Sequence, residues 1–215
     1  MKAAVFDIDG TLADSMEFWN NISRNYLISQ GILPKENLNK ILESLTVMES
    51  VDYMKQEYGL KKDNSIIKDE LNEILFEYYK NDLKLKPYAV DLIKALRSKN
   101  VKLAVASVTD EKLINILLKR YGIYDDFDFI QTCDNIKLSK EDKQFYRILS
   151  KRLDVEPKEI FLFEDSLYSM ITAKSLDFRI VGVEDSYSSL DLKDIIEISD
   201  IYIKSFKDFI SLIKI

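Results

Sequence analysis

The sequence predicts an α/β fold, a parallel sheet wrapped by crossover helices with a separate all-helical segment inserted after the first strand. Three observations carry this. Residues 3–6, 101–106 (VKLAVA), 160–163 (IFLF) and 179–183 (RIVGV) are short apolar runs without polar alternation, as expected of strands covered on both faces. Helical periodicity lies between them at 89–98, 111–121, 141–153 and 167–176, and strand alternating with helix is the pattern of crossover connections. Residues 15–82 break the rhythm, showing helical periodicity and no convincing strand.

Taken in order, the run at 3–6 is the first strand, and Asp7 and Asp9 follow it with Gly10 as the turn residue. Four helical patterns come next, at 16–30, 35–45, 47–58 and 66–80, with turns at 31–34 and 59–64 marked by Gly31, Pro34 and Gly59. Residues 81–87 lead back to the sheet. A weaker fifth strand is expected at 127–131, and Cys133 is placed in the loop after it. The expected division is therefore 1–14 with 83–215 as the α/β core and 15–82 as a helical domain.

Composition narrows the chemistry. The 215 residues are 47% hydrophobic and 32% charged, ordinary for a globular protein. The net charge of −6 comes without a basic stripe, so no nucleic-acid partner is expected. The chain has no histidine, which excludes histidine triads and histidine metal sites. A single cysteine excludes an internal disulfide and fits a reducing compartment. The first apolar stretch ends at Asp7, too short for a signal peptide or a membrane span, so a cytoplasmic location without membrane partners is expected. Catalysis would run on carboxylates, hydroxyls, lysines and a metal.

Active sites of parallel sheets lie at the carboxyl ends of the strands. The first strand is followed there by Asp7, Asp9, Gly10 and Thr11, the second by Ser107, Val108 and Thr109, and the run at 160–163 by Glu164, Asp165 and Ser166. Asp7 and Asp9, two apart, suit divided labour, one attacking and one carrying a proton. Asp165 and Glu164 add hard oxygen ligands of the kind Mg²⁺ takes, although an acidic turn before a helix also serves as a plain cap. Ser107 can donate to a phosphoryl oxygen. A lysine is expected near the rim: Lys140 opens the third core helix, although Lys137, Lys140 and Lys143 together also read as a plain surface charge run.

These residues resemble the motifs of the haloacid dehalogenase-like (HAD) hydrolases: FDIDGTLADS, then KLAVASVTD, then KEDKQFYRILSKRLDVEPKEIFLFEDS, in the family's order. The resemblance spans essentially the whole chain and is nearest the branch of phosphoglycolate-phosphatase-like enzymes and β-phosphoglucomutases. It implies a Rossmann-like core with residues 15–82 as a four-helix cap. It also implies Asp7 as the nucleophile that forms an aspartyl-phosphate, Asp9 as general acid and base, and Ser107 and Lys140 as phosphoryl ligands. Mg²⁺ would be held by Asp7, Asp165 and the Asp9 carbonyl, supported by Glu164. Gly10, Thr11 and Val108 complete the expected substrate contacts, and Arg24, the early cation of the helical segment, is a candidate contact for a second anionic group of the substrate. Three positions depart from the family pattern: Glu141 follows Lys140 where relatives carry proline, Ser169 stands where many have glycine, and Pro87 precedes Tyr88 where relatives carry Pro-Gly.

The expected activity is Mg²⁺-dependent hydrolysis of a small phosphorylated metabolite by a monomer or weak homodimer. A β-phosphoglucomutase-like mutase is the alternative, weakened by the absence of the cap histidine found in such enzymes. A non-catalytic binding protein on this fold would be expected to lack Asp7, Asp9 or Asp165. Met16, Phe18, Trp19 and Ile22 fall at helical spacing and are read as packing within the helical domain.

Overall fold

The computed structural model describes residues 1–42 and 47–213. Six strands, β1 (Ala3–Phe6), β2 (Lys102–Ser107), β3 (Phe129–Thr132), β4 (Ile160–Glu164), β5 (Arg179–Val183) and β6 (Ile201–Ile203), form one sheet in the order β3-β2-β1-β4-β5-β6. Every neighbouring pair is parallel. The chain steps outward from β1 to β3, then returns to β4 on the other side of β1 and steps out to β6. The reversal falls between β1 and β4, the place where a crevice opens beyond the strand ends.

Both faces of the sheet are covered, which is why its strands read as unbroken apolar runs. On one face Val5, Ala104, Ala106 and Leu162 pack with Phe145 and Leu149 of α8 (Lys143–Leu153) and Met170 and Ala173 of α9 (Leu167–Lys174). On the other, Phe6 stacks on Phe163, its register partner, with centroids 4.4 Å apart, and Phe163 meets Phe209 of α11 (Phe206–Leu212) edge-on at 4.8 Å. Each buried phenylalanine contributes about 1.5–3 kcal/mol of transfer free energy. The remaining core helices are α5 (Ala89–Ser98), α6 (Glu111–Arg120), α7 (Cys133–Ile136) and α10 (Leu192–Ile198).

The chain divides into two compact units, Met1–Asp14 with Leu83–Ile215, and Ser15–Asp82. The second holds α1 (Met16–Ser29), α2 (Leu38–Leu42), α3 (Val47–Tyr58) and α4 (Asn64–Glu77). Ile22 and Leu27 of α1, Val51 and Met54 of α3, and Ile67 and Leu71 of α4 form its buried interior. Phe18 stacks on Tyr78 and the Trp19 indole donates to the Tyr79 hydroxyl at 3.2 Å, so these aromatics pack within this unit. No helix among the described residues is long and apolar enough to cross a membrane.

Several local expectations need correction. The predicted helix at 141–153 starts at Lys143, because the Asp142 carboxylate caps it by accepting the Gln144 N–H. Lys140 therefore lies in the preceding turn and does not open the helix. Cys133 opens α7 instead of lying in a loop; Thr132 and Asn135 form a reciprocal cap there. The pattern at 66–80 ends as an α-helix at Glu77 and continues as a π-helical turn, Tyr78–Asp82. Residues 43–45 of the helix expected at 35–45 lie outside the described residues. Strand β6 and helices α10 and α11 were not anticipated.

Candidate active site

The site grows from the end of β1. The Asp7 N–H donates to the Phe163 carbonyl at 3.1 Å, continuing the β1–β4 pairing by one residue and placing Asp7 at the strand reversal. The chain then turns tightly, with Ala13 N–H donating to Ile8 at 2.8 Å and Gly10 N–H to Ala13 at 3.0 Å. Gly10 has φ +79°, and a Cβ there would lie 2.4 Å from an Asp165 carboxylate oxygen. Only glycine allows that backbone to approach the carboxylate. Thr11 donates its hydroxyl to Asp165 Oδ1 at 2.7 Å, and Ser188 donates to Oδ2 at 3.2 Å.

Lys140 is the charge that joins the two strand ends. Its Nζ lies 2.8 Å from Asp7 Oδ1 and 2.7 Å from Glu164 Oε2, all three side chains being buried. Lys137 points away, with a side chain 77% exposed and paired with Asp134, and Lys143 is exposed on α8. Position thus separates three lysines that charge alone does not. Burial alone would lower the Lys140 value, but Asp7 and Glu164 outweigh it and hold the ammonium charged.

Asp7, Glu164 and Asp165 each offer an oxygen within 4.8 Å of the others. Burial pushes Asp7 well above the usual carboxylate range; Lys140 opposes the shift, and Glu164 and Asp165 add to it. Asp165 is pushed up to about 7, by burial first and Glu164 second. Lys140 pairs directly with Asp7 and Glu164, whereas the third buried acid, Asp165, has hydroxyl partners and only the more distant charge of Lys86. Hard oxygen donors with excess negative charge are the donor set of Mg²⁺, so these residues fit that ion.

Asp9 accepts the Thr109 hydroxyl, which ties the turn after β1 to the loop after β2. It caps no helix, since α1 begins only at Met16. Ser107 ends β2 fully buried, its Oγ accepting the Thr109 N–H at 3.3 Å, while Val108 is 56% exposed. Arg24 belongs to the helical unit, where its guanidinium donates to the carbonyls of Lys35 at 2.9 Å and Glu36 at 3.2 Å. Those bonds close the turn after α1. Burial pushes the Cys133 thiol above its usual value, away from thiolate chemistry.

Sequence reasoning missed Lys86 and the use of Thr109. The Lys86 ammonium binds the Gly10 carbonyl, the Glu184 carbonyl at 2.7 Å and Asp185 at 3.0 Å, fastening the turn after β1 to the loop after β5. Nothing local marks that lysine, because its partners lie 76 and 98 residues away. Thr109 stood in view after β2, but a strand-end threonine reads as a turn residue until its partner is known.

The family model described as haloacid dehalogenase-like hydrolase matches residues 4–183. The phosphorylated carbohydrates phosphatase of Thermotoga maritima is 26% identical over 215 residues, covering 100% of this chain and 99% of its own. The β-phosphoglucomutase of Bacillus subtilis is 25% identical over 191 residues, 85% of this chain and 83% of its own. Among solved structures, one from Thermotoga maritima superposes with a TM-score of 0.80 at 26% identity, covering 95% of this chain and 94% of the other. With the match spanning most of the sequence and all six core strands but the last, the chain belongs to the haloacid dehalogenase-like hydrolase family.

Proposed function

We propose that this protein is a phosphatase that hydrolyses a small phosphorylated metabolite through an aspartyl-phosphate on Asp7. The observation that carries the reading is the buried arrangement of Asp7, with Lys140 2.8 Å from one oxygen and Asp165 and Glu164 beside it. An Asp7 oxygen attacks phosphorus, the ester P–O bond breaks, and Asp9 gives its proton to the departing oxygen. Asp9 then takes a proton from a water whose oxygen attacks the same phosphorus, releasing inorganic phosphate and restoring the Asp7 carboxylate. Lys140 and Ser107 steady the phosphoryl oxygens, and Gly10, Thr11 and Val108 shape their cradle. Asp7, Asp165 and the Asp9 carbonyl would hold Mg²⁺, with Glu164 in support. When bound, the ion supplies neutralisation of the phosphoryl charge.

Relatives named for phosphorylated carbohydrates and for a phosphoglucomutase support a sugar-phosphate class of substrate. Substrate choice is assigned to Ser15–Asp82, read as a cap. The test is phosphate release from a panel of sugar phosphates, phosphoglycolate, nucleotides and p-nitrophenyl phosphate, with Mg²⁺ or EDTA. Release that needs Mg²⁺ and falls at least about a thousandfold in Asp7→Asn is the expected result. Isomerisation of β-glucose 1-phosphate without net release would assign a mutase instead.

A further inference from the structure

We propose that Ser169 and Tyr146 are positioning residues that act through Glu164 to fix Lys140 against Asp7; the proposal rests on reading Lys140 as the phosphoryl-site cation. Four hydrogen bonds run in series through buried side chains. The Tyr146 hydroxyl lies 2.5 Å from Ser169 Oγ, and Ser169 Oγ lies 2.9 Å from Glu164 Oε2. Lys140 Nζ reaches that same oxygen at 2.7 Å and Asp7 Oδ1 at 2.8 Å. Tyr146, Ser169 and Glu164 are fully buried, and none of the five is more than 5% exposed.

The donor inventory fixes the direction of the chain. An ionised Glu164 only accepts, so Ser169 spends its one proton on Oε2 and must accept from Tyr146. The Glu164 Oε1 accepts the Ser166 N–H at 3.1 Å, so donors orient both oxygens of that carboxylate. A glutamate held this way presents a fixed acceptor to Lys140. The ammonium has three N–H groups, and two are spent on Glu164 and Asp7, which leaves one for a phosphoryl oxygen. At position 169 many members of the family this chain resembles carry glycine, which has no side-chain donor. Here the Ser169 hydroxyl supplies the bond that holds Glu164.

A series chain makes a distinctive prediction. Ser169→Ala removes the donor to Glu164 and lowers kcat about tenfold with KM changed less than about twofold, because Lys140 binds the phosphoryl group most tightly in the transition state. Tyr146→Phe leaves the Ser169 donor in place and costs about threefold or less. The double variant is no slower than Ser169→Ala, since Tyr146 acts only through Ser169. Ser169→Thr, which keeps the hydroxyl, recovers most of kcat.

Competitive acetylation of the substrate-free protein, read by mass spectrometry of the Lys140 peptide, supplies a second readout independent of turnover. Labelling of Lys140 rises about tenfold in Ser169→Ala, with exposed Lys137 as the unchanged internal reference. Additive kcat losses, or melting temperatures that fall while kcat and Lys140 labelling stay constant, would show that both residues only pack and would overturn the proposal. If the wild-type protein releases no phosphate from any compound while Lys140 labelling responds as stated, the hydrolase reading fails and the positioning claim stands.

Discussion

At Gly10 the backbone passes so close to the Asp165 carboxylate that a methyl group would sit 2.4 Å from its oxygen, in a left-handed conformation that L-residues resist. Gly10→Ala must therefore move Asp165 or the turn carrying Asp7 and Asp9. Phosphate release should fall by more than about a hundredfold, the typical cost of a misplacement near 1 Å, in a protein whose circular dichroism is unchanged. Unaltered turnover would separate the glycine from the site. Asp7, Asp9, Gly10, Thr11, Glu164 and Asp165 were legible in the sequence because each stands at the carboxyl end of a strand whose apolar run is unmistakable. By charge alone Lys140 was one of three lysines; the family resemblance singled it out, and its burial beside two carboxylates is a tertiary fact. Lys86 carried no local signal, its partners lying 76 and 98 residues away, while Ser169 showed only as a departure from glycine and Tyr146 only as a helical residue until their contacts with each other and with Glu164 were known.

Among elements, α5 shows the cost of departing from Pro-Gly. Its N-cap, Tyr88, has φ +65°, and the side chain is 45% exposed, with the Lys207 ammonium over its ring at 5.7 Å. Tyr88→Gly should relieve the strain and stabilise the protein by about 0.5–1 kcal/mol, once glycine's greater unfolded-state freedom is subtracted. Chemical denaturation checks this, and a lower midpoint would mean that the ring's contacts outweigh the backbone. The four main strands were readable to within a residue or two because burial on both faces erases polar alternation. Strand β6 was not, since three residues, Ile201–Ile203, give too short a run to show a period. The π-helical turn at Tyr78–Asp82 escaped for a different reason: its hydrogen bonds widen the helix without changing the side-chain pattern that precedes it.

For the whole molecule, the excess of buried carboxylate at one strand reversal couples stability to pH. Asp165 is raised from the ordinary value of 3.8 to about 7, so the folded protein binds this proton more tightly than the unfolded chain does. That contribution is fully present below pH 3.8 and is lost as pH rises through about 7. In EDTA at pH 8, Asp165→Asn should therefore melt above wild type, and Mg²⁺ should raise the wild-type midpoint by roughly 5–10 °C at about 100 times its dissociation constant while leaving the variant nearly unmoved. Equal responses of the two proteins would remove Asp165 from the metal site. The central claim, that Asp7 becomes phosphorylated, is tested most directly by trapping. Protein turning over p-nitrophenyl phosphate with Mg²⁺ is quenched, reduced with borohydride and digested, since an acyl phosphate is reduced to an alcohol and a free carboxylate is not. Homoserine at position 7, absent without substrate, is the expected result. Full phosphate release with position 7 recovered only as aspartate, or with the label on another residue, would contradict it.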